Sequence, residues 1–238
     1  IRRIDHVIGT HPQLDHVGGL AWILAHFQVE KFWTNGAERQ EEFWRRIERA
    51  MVQRKLEATV ATEGRLISEG PACRMVVLNP QPRPESSISA KSESLNNLSV
   101  VTELVCREQR VLFTGDIERE ALTRLTHSGN SAHIALLKVP HHGAKSSLER
   151  RWLETIRPAV GVVSAGRRNP YGHPAGEVLA AYQAVETQVW RTDRDGAIWA
   201  DLDLTRQELS MHSTREWILQ PALPSADIWA VEQDNLRR

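Results

Sequence analysis

Two histidines and an aspartate crowd onto one tight turn near the start of the chain, in Thr10-His11-Pro12-Gln13-Leu14-Asp15-His16-Val17-Gly18-Gly19. A short apolar run, Ile4 to Ile8, precedes the turn and reads as a buried strand; a longer run, Leu20 to Phe27, follows it and reads as a helix. Gly18 and Gly19 let backbone pack closely there. Imidazole and carboxylate at this spacing suit a borderline divalent metal such as zinc or manganese. A solvated polar loop with a capping aspartate would use similar letters. What tells against that blander reading is recurrence, because Asp116, His141, His142 and His173 also follow predicted strands or sit in short Gly/Pro-bounded loops.

The rest of the chain alternates in the same way. Val29 to Trp33 reads as a strand, and Glu38 to Arg54 places Phe43, Ile47, Ala50 and Met51 at helical spacing among charges. Thr59 to Ile67, Cys73 to Leu78, Leu98 to Arg107 and Arg110 to Phe113 are β-branched or apolar runs. After them come a helix over Ile117 to Leu125, a strand over Ile134 to Val139, a helix over Ser147 to Ile156 and a strand over Ala159 to Ser164. Gly176 to Val185 reads as a helix, and Gln188 to Arg191 and Gly196 to Leu204 as strands. Such alternation predicts a layered α/β fold, in which strand ends bring distant side chains into one crevice. The Pro- and Ser-rich stretch Asn79 to Ser94 reads as an irregular loop near that crevice. Beyond Leu204 the pattern weakens, so residues 1–204 are expected to form the domain and 205–238, with Trp217 and Trp229, an extension.

Composition narrows the possibilities less. At 238 residues and 41% apolar content the chain suits one large domain or two small ones. Lys+Arg and Asp+Glu balance at 30 each, so no overall basic field advertises nucleic acid, although a local basic stripe survives a neutral total. Cys73 and Cys106 are too few for a disulfide framework and decide nothing about compartment. No window approaches the ~20 apolar residues of a membrane span, and no signal peptide opens the chain.

Five later blocks, in order, make the chain resemble a known family. They are Asn96-Asn97-Leu98-Ser99-Val100-Val101, Phe113-Thr114-Gly115-Asp116-Ile117-Glu118, Leu137-Lys138-Val139-Pro140-His141-His142-Gly143, Asn169-Pro170-Tyr171-Gly172-His173-Pro174 and Arg191-Thr192-Asp193-Arg194-Asp195-Gly196-Ala197. With the Thr-His-x-x-x-Asp-His-x-Gly-Gly turn, they resemble the metallo-β-lactamase superfamily, in the branch of the ComEC DNA-internalisation (competence) proteins. The resemblance implies a four-layer αββα sandwich. In that fold several strands precede the first motif, and beyond the run Ile4 to Ile8 they are absent here. The expectation is therefore a fragment of a longer protein or a frame that has lost its front, with the uncovered sheet compensated by homodimerisation, strand exchange or the Trp-containing tail.

The resemblance also implies the chemistry. Metal ligands would be His11, Asp15, His16, Asp116, His141 and His173, with Asp116 suited to bridge two ions about 3.5–4 Å apart. Between the neighbouring histidines, His141 is favoured as ligand and His142 as a hydrogen-bonding partner or proton donor. Asp15 would also orient water, and His173 would serve as last ligand or as acid for the leaving oxygen. Lys145, Ser146, Asn97 and Ser99 are candidate substrate contacts, and Arg167, Arg168, Arg191 and Arg194 a phosphate track. Gln13 departs from the pattern, which places His or Asp there, and an amide is a poor ligand for zinc. The expected cofactor is one or two divalent ions, Zn or Mn, with one firm site and one weakened. The implied function is a metal-dependent phosphodiester hydrolase, a nuclease acting on single-stranded DNA during bacterial DNA uptake. It would follow a membrane channel region of a longer parent protein, on the extracytoplasmic side of the cytoplasmic membrane. Two alternatives stay open: a hydrolase of a small phosphoester, lactone or thioester, and a catalytically silent assembly module of a DNA-uptake complex.

Overall fold

In the computed structural model, residues 1–37, 41–82, 94–127 and 133–215 are described. The chain runs β1 (Arg3–Gly9), α1 (Leu14–Val17), α2 (Leu20–His26), β2 (Gln28–Thr34), α3 (Glu42–Arg54), β3 (Ala58–Val60), β4 (Leu66–Glu69), β5 (Cys73–Asn79), β6 (Val101–Cys106) and β7 (Gln109–Phe113). It continues with α4 (Arg119–His127), β8 (Leu136–Lys138), α5 (Arg150–Ile156), β9 (Val160–Val163), α6 (Gly176–Ala184), β10 (Gln188–Arg191), α7 (Thr192–Asp195), β11 (Ile198–Asp203) and β12 (Glu208–Ser213). Most of the Pro- and Ser-rich loop and the tail with Trp217 and Trp229 lie outside the described residues.

Two sheets organise these elements. β1, β2 and β3 form a three-stranded parallel sheet in that order, with no strand beyond β1 among the described residues. A seven-stranded sheet has the order β10-β9-β8-β7-β6-β5-β4, parallel from β10 to β7 and antiparallel from β7 to β4. Alternation along single strands divides the core between their faces. Val7 and Phe32 point to one side, where they pack with Val17, Leu24 and Ile47 of the helices; their neighbours Ile8 and Trp33 point to the other, toward Ala61, Ile67, Val77 and Val100. Leu78 and Val101 in turn face the third cluster, with Leu122, Trp152 and Tyr182 from α4, α5 and α6. The result is helix, sheet, sheet, helix: the αββα sandwich that the motifs imply. No helix among the described residues is long and apolar enough to cross a membrane.

Three local features differ from the sequence reading. The run Thr59 to Ile67 is two strands, not one. A turn closed by the Arg65 amide on the Thr62 carbonyl, with Gly64 at φ +81°, carries the chain from the first sheet to the second. Cys73 and Cys106 stand directly opposite on β5 and β6 and form a disulfide, because antiparallel pairing closes their 33-residue separation. Finally, β12 pairs with β11 across Leu204, so regular structure continues to Ser213.

Candidate metal centre

The candidate ligating residues gather where β1, β7 and β8 end. Asp15 and His16 lie in α1, one turn after β1. Asp116 follows β7 on a bend at Gly115, whose φ is +56° and where a Cβ would come within 2.6 Å of Ser99 Cβ. Only glycine fits there. The Ser99 hydroxyl accepts a hydrogen bond from the Asp116 amide (3.0 Å), and Asn97 Oδ1 accepts one from the Glu118 amide (2.8 Å). Ser99 and Asn97 are buried, and these contacts position the Asp116 loop from below.

After β8, Pro140 begins a turn in which His141 (φ +46°), His142 (φ +54°) and Gly143 (φ +78°) are all left-handed. That conformation costs a non-glycine residue about 1–2 kcal/mol, and it sends the two adjacent imidazoles in different directions. His142 Nε2 reaches Asp116 Oδ2 at 3.2 Å and Asp15 Oδ2 at 3.3 Å. Its Nδ1 lies 2.6 Å from the Ser164 carbonyl, which takes an Nδ1–H and turns Nε2 toward the acids. His16 Nε2 meets the same oxygens, at 3.1 Å from Asp116 and 3.5 Å from Asp15. Asp15, His16, Asp116 and His142 thus offer donor atoms within 4.8 Å of one another.

His141 lies apart from this group. Its Nδ1 is 3.3 Å from Glu118 Oε1 and 3.4 Å from Ser146 Oγ, and Ser146 donates to the same carboxylate oxygen at 3.0 Å. His173 packs edge-on against His141, with ring centroids 6.0 Å apart. Lys145 is exposed and paired with Glu177 at 2.9 Å. Sequence reasoning gave no role to Glu118 or Lys138. For both, the signal was a charged residue inside a block otherwise read for its metal ligands.

The electrostatics favour a cation. Burial alone would raise the Asp116 carboxyl, but hydrogen bonds from His142 and His16, with Lys138 nearby, hold it far below the usual range. The hydrogen bond to Asp116 raises His142. Burial, reinforced by neighbouring His16, pushes His11 down to about 4. His11 is almost fully buried, and its Nε2 has no hydrogen-bond partner. Two carboxylates, two imidazoles and an orphaned third imidazole nitrogen fit a divalent metal. Around Gln13 the fit is poorer. Its amide nitrogen donates to Asn96 Oδ1 at 2.8 Å, and Lys138 Nζ holds the other oxygen of Asp116 at 3.1 Å.

The superfamily model for metallo-β-lactamases matches residues 1–72, the segment that carries β1 and the first ligand turn. Over that segment the chain is similar to the metallo-β-lactamase superfamily. Among curated proteins this metallo-β-lactamase-like chain is 28% identical over 207 residues to ComE operon protein 3 of Bacillus subtilis, covering 83% of the chain and 24% of that protein. It is 24% identical over 212 residues to Recombination protein 2 of Haemophilus influenzae, covering 89% of the chain and 24% of that protein. Both are ComEC-family proteins, and the chain spans about a quarter of their length. The structure of CmlA, a diiron beta-hydroxylase from Streptomyces venezuelae, superposes with a TM-score of 0.50 at 16% identity, over 80% of this chain and 44% of that one. That likeness concerns the fold.

Proposed function

We propose that this chain is the hydrolase domain of a longer ComEC-type protein, a metal-dependent phosphodiesterase that cuts single-stranded DNA during uptake. The observation that carries the reading is the convergence of Asp15, His16, Asp116 and His142 at the strand ends, with Asp15 more than half exposed to solvent. A divalent ion, zinc or manganese, held by these four residues would lower the pKa of a water and offset charge on phosphoryl oxygens. The chain's own groups do the rest. Asp15, exposed and at the rim, orients water toward the substrate. Glu118 accepts a hydrogen bond from His141 Nδ1–H beside His173, so that His141 as an imidazolium would carry a second proton on Nε2 to give to a leaving oxygen. Ser164 fixes the tautomer of His142.

One ion per chain fits better than two. Lys138 occupies Asp116 Oδ1, so a second site beside His11 would have to displace that contact. The names of the relatives support DNA as substrate, and the disulfide supports an oxidising compartment outside the cytoplasmic membrane. The test combines elemental analysis with cleavage of labelled single- and double-stranded DNA in manganese or zinc. About one metal per chain and metal-dependent cutting of the single strand is the expected result. A protein that takes up no metal after soaking would leave only a binding module.

A further inference from the structure

An exposed tyrosine and an arginine-lined cleft lie at the ends of β9 and β10. One loop, residues 165–174, carries both features and is firmly built. Asn169 Nδ2 donates to the Gly166 and His173 carbonyls at 2.9 and 2.8 Å, while its Oδ1 accepts from the His173 amide at 2.9 Å. The Thr192 hydroxyl ties the loop's base to the end of β10 through the Ala165 amide (2.8 Å) and carbonyl (2.9 Å). On this frame Tyr171 is 77% exposed, with its ring stacked on His173 at 5.8 Å and 17°. Ring contacts continue from His173 to His141 and from His141 to His142, so the tyrosine stands at the outer end of a row of rings that leads into the ligand group.

Beside the loop a cleft of about 710 Å³ is lined by Arg167, Arg191, Arg194 and Arg215 with Asp193 and Asp195. The sequence alone made Arg191 and Arg194 equal candidates for binding phosphate. In the fold they are committed: Arg191 clasps Asp193 with two bonds of 3.0 and 2.7 Å, and Arg194 pairs with Asp195 at 3.1 Å. Arg167 and Arg215 are exposed; Arg215 Nη1 donates to the Arg194 carbonyl at 3.5 Å and its charge acts on Asp195, and four arginines against two carboxylates leave the cleft cationic.

We propose that the 165–174 loop and this cleft form a single-strand subsite: a base stacks on Tyr171, and Arg167 and Arg215 hold phosphates next to the one at the metal group. Single-strand binding elsewhere combines these two parts, an aromatic platform and a cationic track. A flat exposed aromatic is not needed to hold inorganic phosphate, so the pair favours a nucleic-acid strand. The inference rests on the proposed function only for its substrate class.

The test is fluorescence anisotropy with a labelled oligo(dT) strand and the full chain in chelator, so that binding is read without cleavage. Arg167→Gln/Arg215→Gln should weaken binding at low salt and reduce the slope of log K against log salt by about 1.4, two single-strand phosphate contacts. Tyr171→Ala should weaken binding roughly tenfold with the salt slope unchanged, and Tyr171→Phe should restore it. Circular dichroism of each variant separates loss of contacts from loss of fold. If the strand binds and neither set of substitutions alters it, this subsite is overturned and the hydrolase reading stands. If binding depends on these residues but no metal-dependent cutting occurs, the subsite stands and the hydrolase reading falls. If the wild-type chain binds no strand at low salt, the subsite falls with it.

Discussion

Breaking the Cys73–Cys106 bond is the most direct probe of how this domain is built and where it works. The two residues face each other across β5 and β6, and β6 is also paired with β7, so the native sheet keeps its register when the bond is cut. The effect then falls mainly on the unfolded chain, which regains the freedom of a closed loop. For a sequence separation of 33 the loop-closure estimate is about 4 kcal/mol. In a chain of this length, each kcal/mol moves the melting temperature about 2–4 °C. The double variant Cys73→Ser/Cys106→Ser should therefore melt about 8–15 °C below the parent. Reductant should lower the parent to nearly the same temperature and leave the variant unmoved. Titrating thiols in denaturant, without reductant, should find none. Two free thiols in freshly purified, non-reduced protein, or a drop smaller than about 2 °C, would refute both the bond and the oxidising compartment inferred from it.

Other outcomes follow from the metal centre. Asp116→Asn and His142→Ala should each weaken manganese binding at least tenfold by isothermal titration, whereas His141→Ala should keep the ion and lose turnover; equal metal loss in both histidine variants would undo the division of roles. Lys138→Met removes the partner of a buried carboxylate and should cost the chelated protein about 3 kcal/mol in urea titrations, with part of that recovered by added metal. His11 governs acid stability. Its folded pKa of about 4 lies below the unfolded 6.5, so stability is retained above 6.5 and falls as pH drops toward 4, by up to about 3 kcal/mol. His142, raised in the fold, acts in the opposite sense: its contribution is present below 6.5 and lost only at higher pH, so the two windows do not overlap. His11→Asn should flatten the acid limb of the chelated protein between pH 6.5 and 4, and an unchanged slope would refute the assignment.

How much of this was legible in the sequence depends on whether local or long-range physics fixes each feature. Strand ends and helical faces such as Ile47 with Ala50 follow from periodicity within a few residues, so they can be read directly. The different placement of His141 and His142 follows from a left-handed backbone that no residue preference announces, in a turn packed at Gly143 against Pro174. The commitment of Arg191 and Arg194 to Asp193 and Asp195 was open in sequence, since neighbours in a turn meet or diverge according to geometry. Cys73 and Cys106 found each other only through strand register. The site was visible as a list of chemical types; which member faces which is a property of the assembled layers.

Lys138 has a consequence for the order in which the protein is put together. Its ammonium sits on the Gly115 carbonyl and on Asp116 Oδ1, so the most buried carboxylate of the site has a resident counter-charge supplied by the chain itself. Folding does not have to wait for an ion to neutralise that acid. A polypeptide delivered to a compartment with scarce or fluctuating metal can reach its final shape first and be loaded afterwards. On the proposed reading, the step that switches on activity would then be set by metal supply and not by synthesis.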